Sequence, residues 1–342
     1  MEIITPNTQI NYARLQTTQK IFASGIKPKP IYHYTSIGGL QGILQNQTLH
    51  FTNIKYMNDK DEITAGLESI AQACEFSETA RDGLLSSLID CGTQTFVCCF
   101  SLESDSLPMW NYYTKEIHNQ GYNIEFDSRK LVESILRSNP CLDGCDFAFG
   151  SVDYSKNNYS ECGITIRNKI TATIDLVFAK VLLAASKAAQ TAHSNIDQTN
   201  ITAWEETINN LEKKQLISHL PIYFFNGENC KFDKQAIDNY LFFVKRDCFA
   251  KEREFRIVIT VPDELLPKLK EQNVYKFRIN NGILVPYIEL KFTKNVVKSI
   301  MISPTIQSDL VELSIQQFID YCEYSIEDFS TFIKHSKVPV RF

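Results

Sequence analysis

Four groups of polar and aromatic residues in this sequence have the types and spacing that catalysis or ligand binding requires. They are Tyr32-His33-Tyr34-Thr35, Asn58-Asp59, the segment C-F-S followed by M-W-N-Y-Y between Cys99 and Tyr113, and E-R-E-F-R between Glu252 and Arg256. Each group lies on or beside a predicted strand end, where polar side chains are well placed to converge in a cleft. We therefore expect the four groups to contribute to one site.

Glu252 and Glu254 are the candidates for acid-base or electrostatic chemistry. At positions i and i+2 of a predicted strand they share one face, roughly 7 Å apart. If that face is covered, at least one of the two carboxyl groups should have a raised pKa. The alternative interpretations are a solvated face or an ion pair with Arg256.

The other candidates also have structural interpretations. A histidine at a strand end, such as His33, commonly bonds a backbone carbonyl. Asn58 and Asp59 fit a turn or a helix cap. Trp110 and Tyr113 are three residues apart on a predicted helix, a spacing that ordinary core packing also produces. No phosphate-binding loop, nucleophile elbow or H-E-x-x-H motif is present in the sequence.

The composition is that of a soluble globular protein. The 342 residues are 44% hydrophobic and 22% charged, with a formal net charge of -5. An acidic chain has no electrostatic footprint for tight, non-specific binding to nucleic acid. No apolar run approaches the roughly 18 residues that cross a bilayer, and the N-terminus lacks the pattern of a signal peptide. We expect a cytoplasmic protein with no membrane partner.

The ten cysteines are scattered along the chain. The adjacent pair Cys98 and Cys99 lies in an apolar run, which is typical of reduced, buried thiols in a cytosolic protein. Cys141, Cys145 and Cys162 come closest to a zinc pattern, but no histidine lies nearby and the spacing is a weak signal. We therefore expect no metal.

The order of predicted elements indicates an α+β fold with short strands and unequal helices. Residues 1–29 are polar, end in K-P-K-P and are predicted to be an N-terminal lead-in segment. Residues 30–342 are predicted to form a single domain with a helical insertion at about 160–240. Further helices are predicted from the turn at Asn58 to about residue 76, near 79–90 and near 308–322.

Two local predictions bear on the candidate site. Thr35 or Ser36 is expected to cap a helix with Leu40, Ile43 and Leu44 on one face. Strands are predicted for I-Y-H-Y, L-H-F-T-N-I, T-Q-T-F-V-C-C-F-S-L, G-Y-N-I-E-F-D, K-E-R-E-F-R-I-V-I-T-V, Y-K-F-R-I, Y-I-E-L-K-F and K-S-I-M-I-S-P.

Six motifs in the same order resemble those of the bacterial family known as domain of unknown function 2971. They are Y-H-Y-T-S with its helix, N-D-x-x-E, C-F-S with M-W-x-x-Y, G-Y-x-I-E-F, K-R-D-x-F-x-x-E-x-E-F-R-I and the final S-K-V-P-V-R-F. The resemblance runs from about Ile31 to Phe342 and is interrupted mainly by the helical segment near 160–235.

That family more remotely resembles the ADP-ribosyltransferase fold, which implies a split, strongly bent mixed β-sheet with helices. The resemblance implies NAD as cofactor, with His33 at the adenosine-side ribose. It also implies Tyr113, or alternatively Tyr112, on the nicotinamide, Glu254 as the essential carboxylate and Glu252 as its helper. The neighbouring residues expected to bind NAD are Tyr34, Thr35, Asn58, Asp59, Ser101 and Trp110.

The function implied by this resemblance is transfer of ADP-ribose from NAD to a protein or nucleic-acid acceptor. It is typical of a toxin-like effector in bacterial phage defence, with a neutralising partner protein as a possible companion. An NAD glycohydrolase that uses water at the same site is one alternative. A non-catalytic module that senses a nucleotide or a protein is another.

Overall fold

The computed structural model describes residues 2–4, 9–14, 29–57, 92–114, 120–152, 154, 202, 205–206, 223–226, 229–231, 242–243, 245–280 and 282–339. The chain divides into two compact units. Unit 1 consists of Met1–Lys60, Gly92–Tyr154 and Phe243–Phe342, and unit 2 of Asp61–Cys91 and Ser155–Phe242.

Unit 1 is built on one mixed β-sheet. Its described strands are β1 (Glu2–Ile4), β2 (Gln9–Arg14), β3 (Pro30–Thr35), β4 (Thr48–Asn53), β5 (Thr93–Ser101), β6 (Tyr122–Asp127), β7 (Asp146–Ser151), β10 (Glu254–Pro262), β11 (Tyr275–Asn280), β12 (Ile283–Lys291), β13 (Val297–Ile302) and β14 (Ile333–His335), while β8 (Tyr223–Asn226) and β9 (Asn229–Lys231) belong to unit 2. The described helices are α1 (Ile37–Asn46), α2 (Leu107–Tyr113), α3 (Ser128–Ser138), α4 (Leu266–Glu271), α5 (Val311–Tyr321) and α6 (Phe329–Phe332). The predicted α+β class is confirmed.

The sheet branches at β5. Along one edge β5 pairs with β10 over its whole length, from Thr93 to Ser101. Along the other edge it pairs with β4 at Phe96 and Val97, and with β3 at Ser101. One branch continues through β3, β6, β13 and β14, and the other through β4, β12 and β11. Among the described strands, every pair is antiparallel except that of β13 and β14.

One face of the sheet carries the main hydrophobic core. Because residues paired across strands share a face, Ile257 of β10 and Cys98 of β5 lie on the same side. Helices α1, α3 and α5 contribute apolar residues to this core, which includes Leu40, Leu44, Leu131, Ile135, Ile315 and Ile319. We call this side the core face.

Helix α1 forms as its sequence predicts. The Ser36 hydroxyl accepts a hydrogen bond from the Gly39 backbone N–H, which caps one of the free donors of the first turn. Leu40 and Leu44 are buried one turn apart, and the helix ends at Gln47 with a left-handed backbone. Burial of this stripe holds α1 against the core face.

Helix α2 covers part of the opposite side of the sheet, which we call the α2 face. Pro108 lies in its first turn, where a missing N–H costs nothing. Met109 and Trp110 pack with Tyr34 of β3 in a small apolar cluster separate from the main core. The edge of the Trp110 ring meets Tyr34 with the ring centroids 4.7 Å apart.

Two predicted segments differ from what the structure describes. Residues 2–4 and 9–14 of the predicted lead-in form β1 and β2, and β2 pairs with β7 of the sheet. Within the predicted helical insertion, Tyr223–Asn226 and Asn229–Lys231 form a short antiparallel pair. The prediction failed there because helical periodicity was extended across a short apolar run that suits a strand equally well.

The remaining predictions about helices concern residues outside those that the structure describes. The helices predicted between residues 58 and 90 and most of the insertion at 160–240 fall there. In the described part of the chain, no helix has the length and apolar character needed to cross a membrane.

Candidate functional site

Four charged side chains form a buried cluster on the α2 face. Lys245, Glu252, Glu254 and Arg256 are exposed by only 7%, 8%, 5% and 5%. The Arg256 guanidinium donates to Glu254 at 2.8 Å, and Lys245 Nζ donates to Glu252 at 2.8 Å. Lys245 Nζ also lies 3.6 Å from Glu254 Oε2. Two cations therefore balance two anions, which is what burial of charge requires.

A sharp change of backbone direction places the two glutamates. Glu252 ends a 3-10 helix, Asp247–Glu252, and Glu254 begins β10. Between them Arg253 has a left-handed backbone with φ 42°. The prediction that Glu252 and Glu254 alternate along one strand is therefore wrong, because the strand begins only at Glu254. Their side chains approach each other because both bind the same lysine.

For Glu254 the pairing reverses the pKa shift that burial alone would give. Burial by itself raises the pKa of Glu254, but Arg256 and Lys245 outweigh it, so the pKa lies below its usual range. Burial likewise lowers the pKa of Lys245, and the two glutamates more than offset it and raise the pKa. Glu254 and Lys245 are thus held in their ionised forms.

Two tyrosines border the cluster. The Tyr154 hydroxyl accepts a hydrogen bond of 2.8 Å from the Glu254 backbone N–H. Tyr113, at the end of α2, remains 42% exposed. The pKa of its phenol is raised, first by removal from water and then by Glu252 and Glu254, which places it within electrostatic reach of both carboxylates. Tyr113, Glu252 and Glu254 are therefore brought to one place.

Cys99 of β5 lies beside the same cluster. Its partner across the strand pair is Arg256, so the two side chains share the α2 face. Burial raises the pKa of the Cys99 thiol well above its usual value, and the thiol hydrogen-bonds to Glu254. A thiol kept protonated in this way is a poor nucleophile.

Ser101 fixes the chain at the edge of the cluster. Its hydroxyl donates to the Glu252 carbonyl at 2.7 Å and accepts from the Glu103 backbone N–H at 3.0 Å. The strand register aligns Tyr32, Ser101 and Glu254 in one row across three strands. Ser101 is fully buried, so its hydroxyl serves the backbone.

His33 is placed on the other side of the sheet. It neighbours Tyr32 along β3 and so points to the core face, where its ring lies 5.5 Å from that of Phe100. Its Nδ1 donates to the Cys99 carbonyl at 3.1 Å, in the stretch of β5 between the β4 and β3 pairings. Burial lowers the pKa of the imidazole. The structure thus separates His33 from Glu254.

Of the remaining predicted binding residues, Tyr34 and Trp110 are buried and engaged with the loop before α2. The Tyr34 hydroxyl donates to the Glu103 carbonyl at 2.9 Å, and Trp110 Nε1 donates to Asp105 at 2.8 Å. Thr35 is half-buried at the end of β3. Tyr112, the alternative to Tyr113, is exposed. Asn58 and Asp59 lie outside the described residues.

Sequence reasoning missed Lys245 and Tyr154. Lys245 opens the K-R-D-x-F-x-x-E-x-E segment, so its place seven residues before Glu252 was a visible signal. Tyr154 carries no signal in the sequence, because its contact with Glu254 spans 100 positions. The described part of the chain has no group of three or more histidine, cysteine or acidic side chains arranged to hold a metal ion.

The fold and the site define a mixed α+β protein with an open, branched sheet and a buried ionic cluster on one face. Residues 109–257 match the model of the family described as Protein of unknown function (DUF2971). This match supports membership of that family and confirms the resemblance that the sequence motifs carry. No curated protein and no solved structure matches the chain. The matched segment contains Tyr113 and all four charged residues of the cluster.

Proposed function

We propose that this chain is an NAD-dependent ADP-ribosyltransferase with Tyr113, Glu252 and Glu254 at its reaction centre. The observation that carries the proposal is the convergence of a partly exposed tyrosine ring with two carboxylates bound to one lysine. The branching of the sheet at β5 also supports a split sheet of the ADP-ribosyltransferase type.

The charge state of Glu254 suits this chemistry. Cleavage of the bond between nicotinamide and ribose sends its electron pair to nicotinamide and leaves positive charge on the ribose. A carboxylate that is ionised before the reaction, in a site largely removed from water, stabilises that charge more than bulk water does. The nucleophile of the acceptor then bonds to the ribose carbon and loses its proton. The lowered pKa of Glu254 supports this electrostatic role over that of a general acid.

The predicted site residues have different roles in the proposed NAD site. The partly exposed ring of Tyr113 can stack on nicotinamide, and Glu252 is assigned the role of orienting an acceptor. Three further residues are assigned a supporting structural role, because their polar atoms bind backbone carbonyls or Asp105: Ser101, Tyr34 and Trp110. His33 lies on the core face, so the proposal assigns it no contact with NAD.

The wider role follows from the resemblance and belongs to the same proposal. The acceptor is a protein or a nucleic acid, and the chain acts in the cytoplasm as a toxin-like effector of phage defence, with a neutralising partner. With water as acceptor, the same site acts as an NAD glycohydrolase.

One observation favours a second candidate, a non-catalytic module that senses a nucleotide or a protein. Arg256 and Lys245 neutralise the two carboxylates, and all four side chains are buried. A buried, balanced ion-pair cluster is also what a purely structural role produces.

The test compares NAD cleavage and melting temperature in Glu254→Gln, with the exposed Glu264→Gln as matched control. Glutamine keeps the size of the side chain and removes its charge. We expect NAD turnover to fall by about 100-fold or more with NAD affinity little changed, as when a preorganised electrostatic partner is lost. The control variant should behave as wild type, since Glu264 is exposed and lies in the turn after β10, at the end of the strand opposite to Glu254.

A folded Glu254→Gln protein with wild-type NAD cleavage would contradict the catalytic role. If this variant unfolds, Tyr113→Ala answers the question, because the exposed ring can be removed with little effect on folding. Loss of NAD affinity at an unchanged melting temperature supports the proposal. Binding of NAD without any cleavage by the wild-type protein favours the sensing module instead.

A further inference from the structure

A groove of about 570 Å³ opens on the α2 face of the branch that contains β3, β6 and β13. Tyr32, Asn123, Glu125 and Met301 line its sheet side, and residues from the segment 330–337 form another wall. The groove lining includes none of the four residues of the buried ionic cluster. A cavity of this size accommodates a small organic ligand.

Asn123 is the residue that points to a ligand. Its side chain is 99% buried, and its Nδ2 donates to the Ser104 carbonyl at 2.6 Å. Its Oδ1 is buried and has no hydrogen-bond partner within the described part of the chain. The register pairs Asn123 with Tyr34 and with Met301, so its side chain shares the α2 face with the groove. A buried acceptor without a donor is unfavourable, and a ligand that offers an N–H group removes the deficit.

The two acidic residues that line the groove, Asp105 and Glu125, are bound by donors of the protein itself and so are compatible with an anionic ligand. Asp105 accepts hydrogen bonds from Trp110, Ser336 and the Lys337 backbone N–H. Glu125 accepts from Ser299 and from Lys334. The two acids are thus satisfied within the protein.

Lys337 differs from these acids. It is exposed at the rim of the groove, and its ammonium forms no ion pair with any residue that the structure describes. A phosphate group on a ligand would find a cation there.

Tyr32 supplies an aromatic surface in the same groove. Its half-buried side chain lines the groove, and aromatic side chains of this kind stack on nucleic-acid bases. We propose that the groove binds a purine nucleoside monophosphate, with the amino group of the base on Asn123 Oδ1, the base against Tyr32 and the phosphate at Lys337. This site is independent of the reaction centre proposed above.

The experiment is calorimetric titration of the whole chain with adenosine 5′-monophosphate. Three probes accompany it: purine riboside 5′-monophosphate, which lacks the amino group, adenosine, which lacks the phosphate, and inorganic phosphate. We expect adenosine monophosphate to bind, and each organic probe to bind about 10-fold more weakly, since one lost hydrogen bond or charge contact is worth about that factor. Inorganic phosphate alone should not compete at the same concentration.

Variants locate the ligand. Lys337→Ala should weaken adenosine monophosphate and leave adenosine unchanged, whereas Lys298→Ala, an exposed lysine of β13 outside the groove lining, should change neither. Asn123→Leu should abolish the preference for the amino group, provided that circular dichroism shows a folded protein. Tyr113→Phe should leave the affinity unchanged, which separates this site from the proposed reaction centre.

Three results would overturn the inference: no binding of adenosine monophosphate, binding that Lys337→Ala leaves unaltered, or equal competition by inorganic phosphate. If Asn123→Leu does not fold, the comparison of the two monophosphates on the wild-type protein decides the role of the amino group. Loss of NAD cleavage by Glu254→Gln has no bearing on these outcomes.

Discussion

Glu254 couples the charge of a single side chain to the stability of the sheet. Its carboxylate is shared between Arg256 and Lys245, and its backbone N–H is bound by Tyr154. Removal of one partner from such a cluster leaves a buried charge without compensation, which typically costs about 3–5 kcal/mol. The proposed function and the stability of the sheet are therefore linked at this residue.

A pH dependence follows from the lowered pKa of Glu254. Because the folded protein binds the proton less tightly than the unfolded chain, the stabilisation by Glu254 is fully present above the usual glutamate pKa of about 4.5. It is lost as the pH falls towards the lower pKa of the folded state. We expect the difference in melting temperature between wild type and Glu254→Gln to be largest near pH 7 and to shrink below about pH 4.5. A difference that does not change with pH would contradict the assigned charge state.

His33 binds the Cys99 carbonyl at the point where the sheet branches, and we expect it to stabilise the fold there. We expect His33→Ala to lower the free energy of unfolding by about 1–3 kcal/mol at neutral pH, because the part-buried Cys99 carbonyl loses its donor. The lowered pKa of His33 means that the neutral form is favoured in the folded state, so its contribution falls as the pH drops below about 6.5.

Denaturant titration at pH 7.5 and pH 5.5 measures this effect. His335→Ala is the matched control, since His335 is exposed and pairs with Glu312 at the surface. Equal stability of the two histidine variants at pH 7.5 would show that the bond to Cys99 contributes nothing.

At the scale of elements, the start of β6 depends on close contact with the end of β3 and the residue after α2. A Cβ added at Gly121 would lie 2.7 Å from the Thr35 carbonyl oxygen and 2.4 Å from Thr114 Cβ. Only a glycine allows these segments to approach so closely, and Gly121 precedes the strand that carries Asn123.

We expect Gly121→Ala to destabilise the protein by about 1–3 kcal/mol, as overpacking does in a tight site. The matched control is Gly42→Ala in the interior of α1, where an added Cβ meets nothing within 4 Å. Alanine there should stabilise the helix by about 0.5–1 kcal/mol. Thermal unfolding of the two variants distinguishes steric conflict from helix propensity, and two shifts of the same sign would refute this account.

For the molecule as a whole, the two faces of the sheet of unit 1 have different tasks. The core face is covered by α1, α3 and α5 and holds the main apolar core, with His33 at its branch point. The α2 face carries the ionic cluster and the groove with Asn123. Because side chains alternate along each strand, one sheet can serve as scaffold on one side and as candidate site on the other.

The sequence offers only a weak zinc pattern, in Cys141, Cys145 and Cys162, with no histidine nearby. We therefore predict that NAD binds independently of divalent metal. Calorimetric titration with NAD should give the same affinity with and without a chelator. Binding that disappears with chelator and returns with a divalent cation would contradict the prediction.

The sequence by itself determined most of the local elements of unit 1. Alternation and apolar runs predicted β3, β4, β5, β6 and β10 to β13, and the Ser36 cap with Leu40 and Leu44 predicted α1, because these signals depend on neighbouring residues only. The family motifs also lie along the chain, and the family match covers those between residues 109 and 257, which are M-W-x-x-Y, G-Y-x-I-E-F and K-R-D-x-F-x-x-E-x-E-F-R-I.

Only the tertiary structure decided which candidates meet. A shift of one residue along a strand moves a side chain to the opposite face. His33 and Tyr32 therefore differ completely in their surroundings, and the pairing of Tyr32 with Ser101 sets that difference. The charge of Glu254 likewise depends on Lys245 and Arg256 at atomic distances, which reverse the shift that burial alone would give. Such contacts follow from strand register and side-chain packing, and the spacing of residues along the chain names the candidates without deciding which of them meet.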